Sequence, residues 1–335
     1  MLARNAIGSA IILLATFLLP ATANAQLFRA YLAIDGSDFN PCTLPQPCRL
    51  LPAALNAVAS GGEIWMLDSA NYNTATVNIT KSVTILAVPG AVGSVVAVGG
   101  PAISIATAGV DVALRNLVIV PLAGGGGTMG VNMSAGGSLT VEGSFLSGLP
   151  GECIRVEGAI VVKVADTTIR CGGDGISLLN GPDATVVRSV ISAAGGAAVH
   201  VAATASDVTT AASVSSSTLE GSEVGGYVFT QYSSATAMLA VRDSQVNRNN
   251  FGLWSYTEGG TATIVASGNL VTRSSIAGIA SWGGGAKAWA TGNTVTGNNV
   301  GLFATGGSLF ESAGNNAVRN NGTDQSGGVS VVPMK

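Results

Sequence analysis

The chain has 335 residues, of which 10% are charged and 47% hydrophobic, and its formal net charge is −3. Its 46 glycines follow no three-residue period, which excludes collagen, and the regularly placed Val, Ile and Leu exclude low-complexity disorder. Binding to a phosphate backbone needs clustered Lys and Arg, which a chain so sparse in charge does not supply. We therefore predict no nucleic-acid partner.

The first 25 residues have the three parts of a secretory signal peptide. Arg4 stands near the start, an apolar run extends from Ala10 to Leu19, and Ala23-Asn24-Ala25 is a small-x-small cleavage site. The run is shorter than the roughly 20 apolar residues of a membrane span. Removal of this segment leaves 14 basic and 18 acidic side chains, a net charge of −4. We expect a secreted or periplasmic protein with no membrane span after cleavage.

The four cysteines of an exported chain indicate two disulfides. Cys42 and Cys48 lie in one loop and are expected to pair locally. Cys153 and Cys171 lie within one repeat of each other and could join neighbouring coils. A metal site is disfavoured, because the chain has one histidine and no C-x-x-C motif.

A helical pattern runs from Pro47 to Ala59, where apolar side chains recur at a spacing of about 3.6 residues before Gly61-Gly62. Two apolar segments follow it, Glu63 to Leu67 and Ser82 to Leu86, and each has the alternation of a strand. We predict one helix followed by these strands.

From about residue 100 onwards, two apolar positions separated by one residue recur every 22 to 28 residues. The copies are Ile103/Ile105, Val131/Met133, Ile154/Val156, Ile176/Leu178, Val199/Val201, Tyr227/Phe229, Leu253/Ser255, Ile279/Ser281 and Leu302/Ala304. A second mark, a small polar residue two positions before an aliphatic one, keeps the same period from Asn116/Val118 to Asn316/Val318. Asparagines at 249–250, 298–299 and 320–321 follow it, and we predict that they hold turns in left-handed backbone conformations.

Coils of this length with two or three short strands predict an all-β right-handed parallel β-helix, a solenoid in which each strand pairs with its copy in the next coil. The open end of a solenoid exposes unpaired strands, so the predicted helix is expected to be a short N-terminal capping helix. The predicted organisation is a signal peptide over 1–25, an N-terminal cap over 26–62 and a parallel β-helix over 63–335. The stretch 329–332 would close the stack.

The segment DGSDFNPCTLPQPCRLLPAALNAVASGGEIWMLDSANYN (Asp35 to Asn73), with ITKSVTI after it, resembles the entry module of secreted bacterial right-handed parallel β-helix proteins of the pectate-lyase-like superfamily. The resemblance implies the fold over the whole mature chain, and it says less about activity, since many members have none established. Lyases of this type hold calcium with several carboxylates and use Arg or Lys as the base, whereas the hydrolases use two or three aspartates. Neither set is evident here. We expect no cofactor, or calcium only if the protein is a lyase.

The residue between the two apolar positions of each pair should point to solvent, so these residues form a column. The predicted column is Ser104, Asn132, Arg155, Ser177, His200, Val228, Trp254, Ala280 and Phe303, and the neighbouring column includes Glu157, Thr230, Tyr256 and Trp282. Arg155, Glu157 and His200 would share a face and are candidate catalytic residues, as base, acid and charge stabiliser. The alternative is an exposed Arg155–Glu157 ion pair with His200 as a lone polar residue.

Two more groups belong to this part of the chain. Glu152 and Asp174 align on adjacent coils and could hold a cation, although calcium takes six or more oxygens, and the alternative is a structural turn. Trp254, Tyr256, Trp282 and Phe303 cluster in the lower half of the face as candidate ligand-binding residues, because flat rings stack on sugar faces or meet a protein partner. The alternative is that the longer coils fold a loop over them.

Three functions remain open from the sequence. The favoured hypothesis is an exported, monomeric β-helix protein of unassigned activity that binds extracellular or envelope polysaccharide, or another cell-surface component, along one sheet face. The alternative is an active polysaccharide lyase or glycoside hydrolase. The second alternative is a structural or adhesion module of the cell surface that binds protein.

Overall fold

The computed structural model describes residues 26–193 and 195–333, so the predicted signal peptide lies outside the described residues. The described chain winds through three parallel sheets of 13, 11 and 11 strands, and each strand pairs with its copy from the next coil. The predicted parallel β-helix is confirmed. No helix among the described residues is long and apolar enough to cross a membrane.

Sheet 1 contains the first strand of each coil. Its strands are β1 (Leu27–Leu32), β2 (Val58–Met66), β5 (Val83–Ala87), β8 (Asp111–Arg115), β11 (Ser138–Glu142), β14 (Val161–Ala165), β17 (Asp183–Val187), β20 (Thr209–Ser215), β23 (Thr236–Arg242), β26 (Thr261–Ser267), β29 (Ala286–Thr291), β32 (Leu309–Ala313) and β35 (Val329–Val332). The last strand pairs with β32 and lies at the C-terminal edge of the sheet.

Sheets 2 and 3 contain the second and third strands of each coil. Sheet 2 consists of β3 (Ala70–Asn71), β6 (Gly93–Ala97), β9 (Leu117–Pro121), β12 (Phe145–Leu149), β15 (Thr168–Cys171), β18 (Val190–Ala193), β21 (Thr218–Glu220), β24 (Gln245–Asn247), β27 (Leu270–Thr272), β30 (Thr294–Thr296) and β33 (Ala317–Val318). Sheet 3 consists of β4 (Val77–Ile79), β7 (Ile103–Ala106), β10 (Val131–Ala135), β13 (Ile154–Glu157), β16 (Ile176–Leu179), β19 (Ala197–Ala203), β22 (Val224–Thr230), β25 (Phe251–Thr257), β28 (Ala277–Trp282), β31 (Val300–Thr305) and β34 (Thr323–Gly327).

The described residues contain one helix, α1 (Leu51–Ala57), which packs against β1, β2 and β4 at the N-terminal end of the stack. The helix is shorter than the predicted range, 47–59. Pro52 occupies the first turn, and the chain leaves the helix at Val58 directly into β2. Before the helix, Cys48 pairs with β1 and donates a backbone hydrogen bond to Tyr31, and Leu50 has extended backbone angles.

Both predicted disulfides are present. Cys42–Cys48 closes the loop between β1 and α1, and Cys153–Cys171 joins the residue before β13 to the end of β15. All four cysteines are buried. The second bridge therefore fixes the chain where it enters sheet 3 at β13.

The apolar pairs of the repeat point inward and stack in columns, as Ile154, Ile176 and Val199 do in sheet 3. The predicted outward direction is wrong for Val228 and Thr230, which are fully buried. Tyr227 takes the outward position between His200 and Trp254, and Phe229 takes the position between Ala202 and Tyr256.

The packing inside the coil explains why Tyr227, and not Val228, points outward. A β-carbon at Gly226 would stand only 2.8 Å from Leu239 and 2.9 Å from Leu253. The interior is filled by these leucines, so it has no room for a ring, and the two aromatic side chains of β22 point to solvent.

Buried polar side chains join the coils at the turn between sheets 1 and 2. The Ser244 N–H donates to Asn269 Oδ1 at 3.0 Å, the Asn269 N–H to Asn293 Oδ1 at 3.0 Å, and the Asn293 N–H to Asn316 Oδ1 at 2.8 Å. The small polar residues of the second repeat mark are the ones that form this ladder. It satisfies backbone groups that the short turn removes from water.

The turn between sheets 2 and 3 has a ladder of its own, in which the Ser274 N–H donates to Asn298 Oδ1 at 2.9 Å. Of the six asparagines predicted to have left-handed backbone, Asn320 does, with φ 61°, and the prediction is wrong for the other five. Before Asn249 and Asn298 the left-handed residue is the preceding one, Arg248 with φ 56° and Gly297 with φ 69°. That residue turns the chain so that the following amide can point inward.

Replacing Asn293 with Ala should lower the free energy of unfolding by about 3 kcal/mol, because two buried backbone groups lose their partners. These are the Asn269 N–H and the Ala266 carbonyl, which accepts from Asn293 Nδ2 at 2.9 Å. Urea unfolding measures the loss. The matched control is Asn299→Ala, since this exposed amide makes no side-chain hydrogen bond to the described residues; an equal loss in both variants would contradict a role for the ladder.

Candidate functional site

The outer face of sheet 3 carries two adjacent columns of side chains from β13 to β31. The first column is Arg155, Ser177, His200, Tyr227, Trp254, Ala280 and Phe303. The second column is Glu157, Leu179, Ala202, Phe229, Tyr256, Trp282 and Thr305. Parallel pairing without a shift places each side chain directly above its copy, so the columns are continuous.

Six aromatic rings form one contiguous surface, here called the aromatic band. Its members are Tyr227, Phe229, Phe251, Trp254, Tyr256 and Trp282. Trp254 lies at the centre, with ring centroids 4.4 Å from Phe251, 5.0 Å from Tyr227 and 5.6 Å from Tyr256. Phe303, which was predicted with this group, lies two coils beyond Trp254 and is separated from it by Ala280.

The rings remain accessible along the face. Trp282 is 45% exposed, and the other five rings are half-buried against one another. The longer coils lengthen the strands here: β22 and β25 have seven residues each, whereas β13 and β16 have four. A longer strand widens the sheet and gives room for two aromatic columns side by side. Small outward residues, Ala202 and Ala280, fill the gaps beneath the rings and are buried.

Arg155 lies between two carboxylates at the N-terminal side of this face. Its guanidinium is 3.4 Å from Glu152 Oε1 and 3.2 Å from Glu157 Oε2. The arrangement corresponds to the ion-pair alternative of the sequence analysis, with a second acid added. Two acids around one base leave a local negative charge.

His200 is paired, contrary to the expectation of a lone polar residue. Its Nδ1 lies 2.8 Å from Asp174 Oδ2, and the other carboxylate oxygen of Asp174 accepts the Ala197 N–H at 2.8 Å. The two side chains are only 21% and 19% exposed. Glu152 and Asp174 are thus held by different partners, Arg155 and His200. Among the described residues, no group of three or more His, Cys, Asp or Glu is placed to hold a metal ion.

The electrostatics of Asp174 reflect two opposing effects. Burial disfavours its charged form, but the hydrogen bond and charge of His200, with the Ala197 N–H and the Ser177 hydroxyl, outweigh burial and hold the Asp174 pKa below its ordinary value. The carboxylate is therefore ionised near neutral pH.

His200 joins the charged group to the aromatic band. Its ring stacks on Tyr227 at a centroid distance of 4.9 Å. Burial, followed by the charges of Tyr256, Glu258, Glu223 and Asp174, raises the pKa of the Tyr227 phenol, so it stays neutral. Two buried nitrogens on this face, His200 Nε2 and Trp254 Nε1, have no hydrogen-bond partner among the described residues.

Sequence reasoning missed half of the aromatic band, namely Tyr227, Phe229 and Phe251, as well as the pairing of His200 with Asp174. The available signal for the first two rings was Gly225-Gly226, which makes poor inward residues for a filled core. For the pair, the signal was that Asp174 stands at the turn one coil before His200.

Three comparisons place this geometry among known proteins. A profile described as the right handed beta helix region matches residues 129–300. The chain belongs to the right-handed β-helix family. The fold is that of the pectate-lyase-like superfamily, as the N-terminal motif predicted. A sequence comparison with curated proteins found no match.

The similar solved structures include a complex of XylC with xylose, at 9% identity and a TM-score of 0.58, covering 83% of this chain and 70% of that one. The A-module of the mannuronan C-5 epimerase AlgE4 from Azotobacter vinelandii matches at 10% identity and a TM-score of 0.50, covering 81% and 91%. Pectate lyase Pel9A matches at 12% identity and a TM-score of 0.46, covering 84% and 78%. At such identities the likeness shows the fold alone.

Replacing Asp174 with Asn should lower the free energy of unfolding by about 2 kcal/mol near neutral pH, because a charged hydrogen bond is lost. The Asp174 pKa is lowered by folding from its ordinary value of 3.8, so the stabilisation is complete above that pH and disappears as the pH falls through the folded value. Urea unfolding of both proteins from pH 2 to 7 measures the difference. A difference that does not shrink below pH 4 would contradict this assignment.

Proposed function

We propose that the protein binds a polysaccharide laid along the outer face of sheet 3, with the aromatic band as its contact surface. The observation that carries the proposal is the continuity of six neighbouring rings, some stacked and some tilted or edge-on, centred on Trp254 and ending at the exposed Trp282. Monomeric proteins rarely expose a contiguous aromatic surface without a binding role.

The geometry of the band is compatible with a chain of sugar rings. Its members lie on three successive coils, β22, β25 and β28, which are about 4.8 Å apart along the axis. Aromatic rings offer large apolar surfaces of low conformational entropy, and the apolar face of a pyranose can cover such a surface. The band is longer than one sugar, which favours a polymer over a monosaccharide.

Two of the structural neighbours support a carbohydrate ligand by their names, since one was solved with xylose and the other is an epimerase of mannuronan. We also propose that the protein acts outside the cytoplasm, after removal of residues 1–25. Two disulfides are characteristic of an oxidising compartment, where extracellular and envelope polysaccharides occur.

Replacing Trp254 and Trp282 together with Ala should weaken polysaccharide binding by about 2 kcal/mol or more, which is roughly 30-fold in Kd. The loss follows because both rings present apolar surface to the ligand. Isothermal titration with the best ligand from a glycan array measures it.

The matched control is Trp289→Ala, because Trp289 is 44% exposed but lies on sheet 1. Binding should be unchanged in that variant. Circular dichroism establishes that all variants are folded. Normal binding by the double variant, or equal loss in the control, would contradict the assignment of the face.

A polysaccharide lyase or glycoside hydrolase is the second candidate, and the pairing of His200 with Asp174 favours it. A carboxylate at Nδ1 fixes the tautomer of the imidazole and leaves Nε2 as a base, which is the arrangement of many general bases. Here Nε2 is buried beside the ring of Tyr227, so a substrate atom would reach it only after this ring moves. Binding therefore takes precedence over catalysis in our proposal.

Incubation with pectin, alginate and neutral glycans, with and without calcium, separates the two candidates. Binding alone gives neither new reducing ends nor unsaturated products. Release of either product that is abolished by His200→Ala, and retained by Trp289→Ala, would establish the enzymatic candidate instead.

A further inference from the structure

We infer that the aromatic band selects neutral polysaccharides and rejects polyuronates. This inference rests on the proposed function, and it specifies the chemical class of the ligand. It follows from the charges that surround the band on sheet 3 and on the turns at both of its edges.

Five carboxylates border the face. Glu152 and Glu157 lie at its N-terminal side, and Asp174 lies beneath His200. Glu223 immediately precedes β22, and Glu258 immediately follows β25, where its Oε1 accepts a hydrogen bond from the Tyr256 hydroxyl at 3.5 Å. Glu223 and Glu258 are both exposed, one at each edge of the widened part of the sheet.

The basic groups on the same face do not balance these acids. Arg155 is shared by two carboxylates, and His200 is engaged by Asp174. No other Lys, Arg or His occurs among the outward residues of the seven sheet 3 strands from β13 to β31. Arg248 and Arg273, the nearest arginines along the chain, line a cleft on sheet 2 instead.

A polyuronate carries one carboxylate per sugar, so several negative charges would be brought beside Glu223 and Glu258. Among the described residues of this face no unpaired basic side chain compensates them, and like charges near a desolvated surface oppose binding. A neutral glycan meets the same rings without this repulsion, and the carboxylates can accept hydrogen bonds from its hydroxyl groups. The face thus discriminates by charge while the rings supply the affinity.

The test uses hexagalacturonate and its fully methyl-esterified form, which share one backbone and differ in charge. They are measured with neutral xylo-, gluco- and manno-oligosaccharides and with oligomannuronate, by isothermal titration at low salt. Only binding that Trp254→Ala/Trp282→Ala abolishes is assigned to the aromatic band, because an acidic glycan could also meet the arginines of sheet 2.

The tightest ligands of the aromatic band should be neutral, and the ester should bind at least about fivefold more tightly than the acid. This difference in affinity between ester and acid, here called the gap, should narrow in high salt. Glu223→Gln/Glu258→Gln should also narrow the gap. Glu311→Gln makes the same type of change on sheet 1, and it should leave the gap unchanged.

The possible results distinguish a failure of the inferred selectivity for neutral glycans from a failure of the proposed polysaccharide binding. Acidic glycans that bind the aromatic band as tightly as neutral ones, or more tightly, would overturn the inference and leave polysaccharide binding in place. A gap unaffected by Glu223→Gln/Glu258→Gln would also overturn it. If no glycan of either class binds, the proposed function itself is wrong.

Discussion

The parallel hydrogen bonding between successive coils is the constraint on which the rest of the structure depends. Each strand pairs in parallel with its copy from the next coil, largely without a shift, so a residue type that recurs in the sequence becomes a column about 4.8 Å apart in space. Inward columns become the core, buried amides become ladders, and outward rings become the aromatic band. A register slip of one residue would exchange the inner and outer sets.

The volume of the interior decides which aromatic residues reach the surface. The side chains of Leu239 and Leu253 occupy the space beside Gly226, and even a methyl group there would displace them, so a whole ring does not fit in the core of that coil. The same coils have longer strands, which give the sheet its width. Core packing on one side of the sheet thereby produces the aromatic surface on the other side.

Charge pairing gives the face its second property. Asp174 and His200 come from adjacent coils, and Arg155 meets its two acids within one coil. Each basic group is therefore already engaged, and Glu223 and Glu258 remain as exposed charges beside the rings. The face is apolar at its centre and negative at its edges, which sets it apart from the arginine-lined cleft on sheet 2.

The sequence by itself determined the fold class, the cap helix, the two disulfides and the position of one outward face. Period and alternation depend only on local chemistry and on the two faces of a strand, so they can be counted along the chain. Trp254, Tyr256 and Trp282 were placed correctly by this counting. Tyr227 was not, because an aromatic residue fits the apolar pattern equally well whether it points inward or outward.

The tertiary structure decided three features that the repeat pattern does not determine: the direction of one side chain, the partner of another and the length of the helix. The direction of Tyr227 depends on the space left by two leucines from later strands, and the partner of His200 depends on a turn 26 residues away. Shortening of the predicted helix followed from the loop that the Cys42–Cys48 bridge holds beside β1. The contacts of Gly226 and His200 exist only once neighbouring coils have stacked, and the contact that shortens the helix exists only once the loop has paired with β1.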